Sequence, residues 1–346
     1  MIVRYIRNQW TILENYNKIR NTDFYIWIDG WNVDWLFHYF DKVGYPAMVL
    51  SDCAKFYDQY PVPILGCHTV AARFLQDYRN IDFEQDTATN YCANIFVNKK
   101  QMSRFLSLKL ASFHKISFDY VWNGIGRDGN FDRIFKENDL FQYVPNTHNL
   151  LSRLRLKKQW IDDSYGDQDP DSVDPSLIEL PHGGDNVYCW HTFMKQLITP
   201  SAVSLINENP NYENASLTTW KTMFPVLGLT FPIWVGGYRI ADEVSSMGID
   251  PIPDVINHRY QYKETLFERC WYAFHDNLKI LTDIEYATEM RIKHITRLQQ
   301  NRDKFLEGTV YQHCVDTVHS WDIPDEVKDI YINRFLVKFN KDLQWQ

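Results

Sequence analysis

The chain has 346 residues, a formal net charge of −8, an apolar share of 45% and an aromatic share of 16%. That length fits two α/β lobes of ordinary size, and the apolar share is enough to fill their cores. The acidic balance argues against a protein that coats nucleic acid non-specifically, because such proteins present a basic face. No apolar run reaches the ~20 residues that a membrane-spanning helix needs, and the opening MIVRYIRNQW is too mixed for a signal peptide. The six cysteines, at 53, 67, 92, 189, 270 and 314, form no CxxC pair. They read as buried thiols in a reducing compartment rather than as a zinc site. The expectation is a soluble cytoplasmic protein with no membrane partner. The 12 Trp and 21 Tyr are read in two ways, as aromatic cores or as stacking platforms for sugars or bases at cleft edges.

Residues 1–88 begin with strand-like MIVRYI, a polar helix and the strand FYIWIDGW. An aromatic helix, VDWLFHYF, and short strands AMVL and VPILG follow. This is the pattern of a small α/β lobe, and it holds no glycine-rich phosphate loop. A new unit starts near Tyr91 with the apolar strand CANIFVN, which ends at Asn98. KKQMSRFLSLKLASFHK is an amphipathic helix, and DYVWNGIG is the next strand. Strand, helix, strand, glycine is the βαβ order of a parallel sheet. Residues 127–180 are polar, acidic and Pro-containing, as in an insertion or long loop. PHGGDN then precedes a second βαβ unit, SLINENPNYENASLTTWKTMFPVLGLTFPIWVGG, Ser204 to Gly237. IADEVSSMGI reads as a helix ending at Gly248. ETLFERCWYAFHDNLKIL and TDIEYATEMRIKHITRLQQNRDKFLEG read as long helices, with two further helical segments after them.

The second βαβ unit carries the sharpest chemistry. Its first strand ends on Glu208 and Asn209, and its second ends on Gly236 and Gly237. Thr218 or Thr219 can cap a helix that bears Lys221 in its first turn. Ligands of open parallel sheets bind outside the carboxyl ends of the strands, where helix N-termini attract anions. Lys221 there is suited to a pyrophosphate leaving group. Arg104, in the first turns of the helix after Asn98, can reach the same phosphates with Ser103, and arginine is suited to binding phosphate through two donors. Asp29, closing FYIWID, is a candidate general base, and IDGWN also fits the metal-binding aspartate of a nuclease. Asp185, in PHGGDN, is a second candidate base or a donor-sugar contact. Two basic stretches, residues 99–115 and RLRLKK at 153–158, offset the acidic loop DDSYGDQDPDSVD.

These residues resemble α-1,3-fucosyltransferases and related bacterial and viral glycosyltransferases over roughly residues 89–280. CANIFVNKKQMSRFLSLKLASFHKISFDYVWNG is similar to the start of their donor domain. INENP…TTWKTMFPVLGLTFPIWVGG is similar to their nucleotide-binding signature. Glu208 and Asn209 match the Glu-Asn pair, and Thr219 and Lys221 match the Thr and Lys of TEK. Arg104 matches the helix arginine, and Pro232, Gly236 and Gly237 match the strand and turn. Trp220 stands where the family has Glu, which leaves the donor nucleoside open.

The resemblance implies an α/β fold of GT-B type, two Rossmann-like lobes with a cleft between them and C-terminal helices. Residues 1–88 would form the acceptor lobe and 89–305 the nucleotide-sugar lobe, with 306–346 crossing back. It implies metal-independent, inverting transfer of a hexose or pentose from a UDP- or GDP-sugar cosubstrate, with no further cofactor. Arg104, Glu208, Asn209, Thr219, Lys221, Gly236 and Gly237 would hold the donor, with Asp29 and Asp185 as candidate catalytic carboxylates. The compact form is similar to bacterial and phage enzymes. The acceptor is then either 5-hydroxymethylcytosine in double-stranded phage DNA or a glycan or protein hydroxyl. A metal-dependent nuclease and a non-catalytic sugar- or DNA-binding protein are the readings from other classes.

Overall fold

The computed structural model describes residues 3–7, 24–28, 47–51, 55–56, 63–65, 88–98, 102–123, 198–208, 215–216, 218 and 220–333. Two parallel sheets organise these residues. The first has β1 (Val3–Arg7), β2 (Phe24–Ile28), β3 (Met48–Ser51) and β5 (Ile64–Leu65), in that spatial order and all parallel. The second has the order β10 (Phe231–Val235), β8 (Ser201–Asn207), β6 (Tyr91–Asn98), β7 (Phe118–Asn123), again all parallel. A short antiparallel ladder joins β4 (Lys55–Phe56) to β9 (Ala215–Ser216), register Lys55 to Ser216. It ties the first part of the chain to the connection that follows β8.

The strands of the second sheet follow from composition. SAVSLIN in β8 and FPIWV in β10 are buried at every position, as expected where helices cover both faces of a parallel sheet. Pro232 lies in β10, an edge strand among the described residues, where a missing N–H is tolerated. Between β6 and β7 runs α1 (Met102–Phe113). Between β8 and β10 runs a 3-10 turn (Trp220–Met223) that continues into α2 (Phe224–Leu227). The chain moves from β6 outward to β7 on one side and from β8 outward to β10 on the other. Right-handed crossovers therefore put α1 and α2 on opposite faces. Two hydrogen bonds agree. Asn207 is held by Ser107 of α1, and its neighbour Glu208 by Thr222 of the 3-10 turn; successive residues of an extended chain face opposite ways. The strand order thus reverses between β6 and β8, which makes their carboxyl ends a topological switch point.

The helices after β10 are α3 (Ile240–Ser246), α4 (Leu266–His275), α5 (Leu278–Thr282), α6 (Ile284–Lys293), α7 (Ile295–Glu307), α8 (Thr309–Ser320) and α9 (Asp325–Tyr331). Thr265 and Glu268 form a capping box at the start of α4, and Asp283 caps α6 through the Tyr286 N–H. Each of the two long helices expected from sequence is broken. The first divides at Asn277, whose side chain accepts from the Asn257 N–H at 2.8 Å and donates to the Asn257 carbonyl at 3.1 Å. The second divides at His294, whose backbone leaves the helix (φ −105°, ψ 9°) while its ring packs edge-on against Phe231 at 6.2 Å. In both, a contact with a distant segment overrides local propensity. α8 packs against β5, so a C-terminal helix reaches the first sheet. Among the described residues no helix is long and apolar enough to cross a membrane.

Candidate functional site

The site is built where β8 ends. The Glu208 N–H donates to the Val235 carbonyl at 2.8 Å, so the ladder with β10 continues one residue past the strand. Glu208 is fully buried (0% exposed), and its Oε1 accepts from the Thr222 hydroxyl at 2.5 Å. Its Oε2 lies 3.5 Å from Lys221 Nζ, which also donates to the Asn207 carbonyl at 3.5 Å. A buried carboxylate stripped of partners costs several kcal/mol. Here a hydroxyl and an ammonium from consecutive residues of one 3-10 turn compensate it. Lys221 is itself only 6% exposed. The lysine expected in the first turn of a helix lies instead in the 3-10 turn that precedes α2, drawn in against the sheet rim.

Gly236 closes the other side. A Cβ placed on it would lie 3.0 Å from the Glu208 Cβ, tighter than most such contacts, so glycine lets β10 pass close to Glu208 without displacing it. Arg269 of α4 then fixes the turn. Its Nε donates to the Gly236 carbonyl at 2.9 Å, and its Nη1 to the Lys263 and Glu264 carbonyls at 2.6 and 3.0 Å. One guanidinium thereby joins the end of β10 to the start of α4.

A second brace runs beneath the 3-10 turn. Trp234 Nε1 donates to the Thr222 carbonyl at 2.9 Å. The Trp234 ring stacks on His258, centroids 5.7 Å apart and planes 23° apart. Burial pushes the His258 imidazole down to about 4, so it is neutral at pH 7. A neutral ring that donates Nε2–H to the Pro251 carbonyl (2.9 Å) leaves Nδ1 to accept from the Tyr260 hydroxyl (3.2 Å). Burial raises the Tyr260 hydroxyl well above its ordinary value, so it keeps that proton.

Of the residues expected from sequence, Glu208, Lys221, Gly236 and the buried Gly237 come together at this rim. Arg104 falls in the first turn of α1, after β6, and its side chain lies outside the described residues. Asn209, Thr219, Asp29 and Asp185 lie outside them too, as do the loop over 127–180 and the stretch 153–158. Lys109, counted in the basic stretch 99–115, is not on the surface. It is 1% exposed, and desolvation lowers its ammonium to about 8. Cys92, Cys270 and Cys314 are buried, as expected, and the other three cysteines lie outside the described residues.

Asn207, Thr222, Trp234 and Arg269 support the site and were not singled out by sequence. Thr222 follows Lys221 in TTWKT, which was a usable signal. Arg269 sits in an ordinary amphipathic helix and gave none. Among the described residues no three His, Cys, Asp or Glu side chains gather as metal ligands. The arrangement can hold a fixed cation at the carboxyl rim of a parallel sheet, beside its switch point. No protein-family model, curated protein or solved structure matches this chain.

Proposed function

We propose that this chain is a nucleotide-sugar-dependent glycosyltransferase of GT-B architecture. The observation that carries the reading is the Lys221–Glu208 pair, 3.5 Å apart, at the carboxyl end of β8. Parallel sheets bind phosphorylated ligands at that position. Lys221 and Arg104 would offset the charge that builds on the departing diphosphate, the role a metal ion plays in other transferases. Glu208 is too buried to be a ligand contact and acts as a positioning residue, fixing the direction of the Lys221 ammonium. Gly236 and Gly237, at the end of the neighbouring strand, would flank the diphosphate.

In the reaction an acceptor hydroxyl oxygen attacks the anomeric carbon of a hexose or pentose. The bond from that carbon to the diphosphate breaks, and UDP or GDP departs with the electron pair. The hydroxyl proton passes to a carboxylate, for which Asp29 and Asp185 are the candidates, and the configuration inverts. The presence of two parallel sheets, with α8 packed on the first, supports a two-lobed arrangement. For the acceptor we favour 5-hydroxymethylcytosine in double-stranded phage DNA over a glycan or protein hydroxyl. The basic stretch 153–158 supports it, and the burial of Lys109 subtracts one charge from the stretch 99–115. A phage-encoded enzyme of this kind would work in the host cytoplasm.

A thermal-shift panel of UDP, GDP and their sugar conjugates, with and without EDTA, tests the reading, because a ligand of the native state raises the melting temperature. The expected result is a shift with one nucleotide family that EDTA leaves unchanged. No shift with any nucleotide would overturn it, and a shift abolished by EDTA would overturn its metal independence.

A further inference from the structure

The rim continues past Gly237 into an aromatic surface that the diphosphate site does not use. Tyr238 and Tyr262 meet edge to face, ring centroids 6.2 Å apart and planes 74° apart. Tyr262 remains 47% exposed, yet its hydroxyl is tied down: it donates to Asp242 at 2.9 Å (Oδ1) and 3.1 Å (Oδ2). Asp242 is held in turn by Arg239 Nε at 2.8 Å and Gln261 Nε2 at 2.9 Å. Gln261 Oε1 accepts the Ala241 and Asp242 N–H groups at 2.8 and 3.2 Å. A large ring that stays half in water while its hydroxyl is anchored in a network has given up rotational freedom with little burial in return. Such a ring is preorganised to receive a flat partner.

The backbone points the same way. Arg239 is in the left-handed region (φ 63°), an uncommon conformation for a non-glycine residue. It turns the chain sharply between Tyr238 and α3. The surface is also continuous with the proposed donor site. Gly236 packs on Glu208, Arg269 grips the Gly236 and Lys263 carbonyls together, and Lys263 follows Tyr262. An edge-to-face contact covers little of a ring, and Tyr262 keeps 47% of its surface exposed for a ligand.

We propose that Tyr262, steadied by Asp242 and flanked by Tyr238, is the stacking platform for the nucleobase of the donor. This rests on the reading of the rim as a nucleotide-diphosphate site. It assigns the base to the β10 side of that rim, with Lys221 on the diphosphate. Stacking tolerates any base, because every base has a π-face. The choice between UDP and GDP would therefore lie in polar groups around the platform rather than in the ring itself.

The experiment is isothermal titration of wild-type protein, Tyr262→Ala and Tyr262→Phe with UDP, GDP and inorganic pyrophosphate, each variant first shown by circular dichroism to keep its fold. Wild type should bind at least one nucleotide roughly 10-fold tighter than pyrophosphate, the scale of one base–aromatic stack. Tyr262→Ala should lose that advantage and keep its pyrophosphate affinity. Tyr262→Phe, which keeps the ring and loses the anchor, should lose only about 2- to 3-fold, less than the ~5-fold or more that a lost stack costs. If Tyr262→Ala binds the nucleotide as well as wild type does, or loses pyrophosphate equally, the platform is wrong and the diphosphate site stands. If wild type binds neither pyrophosphate nor nucleotide, the diphosphate site falls and the platform falls with it.

Discussion

Lys221 and Arg291 are both buried cations at the ends of the second sheet, one at each end. Arg291 of α6 is at the amino end. It donates to the Leu229 carbonyl at 3.0 Å and the Gly228 carbonyl at 3.3 Å just before β10, and to Thr89 Oγ1 at 3.4 Å just before β6. These three partners are backbone and hydroxyl oxygens that the fold itself leaves to be satisfied. Lys221, at the carboxyl end, faces the Glu208 carboxylate at the longer distance of 3.5 Å. The first arrangement is what a structural clamp needs. The second holds a point charge at the rim where parallel sheets bind their ligands. In the function proposed here the same type of group, buried to a similar degree (1% and 6% exposed), would do opposite work according to which end of the strands it occupies.

The comparison can be broken most directly by exchanging loss of function for loss of stability. Lys221→Ala should lower sugar-transfer turnover by roughly 10³-fold, the scale of losing one charge-stabilising donor in a transition state. Steady-state kinetics with the donor identified by thermal shift reads this, and near-normal turnover would remove Lys221 from the chemistry. Arg291→Met should instead cost about 3 kcal/mol in urea unfolding, because two backbone carbonyls lose a charged donor in a buried setting. Nucleotide affinity measured below the unfolding transition should be unchanged.

His258 sharpens the comparison, because it braces the proposed functional end by stacking on Trp234. Its folded value of about 4 lies below the ordinary 6.5, so between these the unfolded chain binds the extra proton. Stability should therefore fall as pH drops from about 6.5 to about 4, by up to ~3 kcal/mol, and level off below. His258→Asn should flatten that segment of the stability–pH curve, and an unchanged slope would mean that other groups carry it. Gly236→Ala is the smallest expected effect. Its Cβ would press on Glu208 at 3.0 Å, costing about 2 kcal/mol and weakening nucleotide binding several-fold by moving the carboxylate that directs Lys221. Binding at wild-type strength would show that the position of Glu208 is immaterial.

Much of the second sheet was legible before any coordinates. Phe231–Val235 is the strand read from FPIWV, and Tyr91–Asn98 and Met102–Phe113 follow CANIFVN and the helix after it. Continuous apolar runs closed by Asn, Glu or Gly are enough to place a buried parallel strand and its rim. What escaped was long-range. Nothing in ETLFERC announces that Arg269 will reach the Gly236 carbonyl, 33 positions earlier. The break in the helix at Asn277 depends on Asn257, and the one at His294 on Phe231. The direction of Lys221 was also out of reach, since a lysine in a first turn can point to solvent or to the sheet, and the carboxylate at position 208 decides it.

The central claim is that the carboxyl rim of the second sheet binds a nucleotide diphosphate through Lys221. Titrating UDP and GDP into wild-type protein, Lys221→Ala and Arg291→Met, all at one temperature below every melting transition, tests it most directly. The account predicts binding by wild type and Arg291→Met alike, and none measurable by Lys221→Ala. Equal binding by Lys221→Ala and wild type would contradict it.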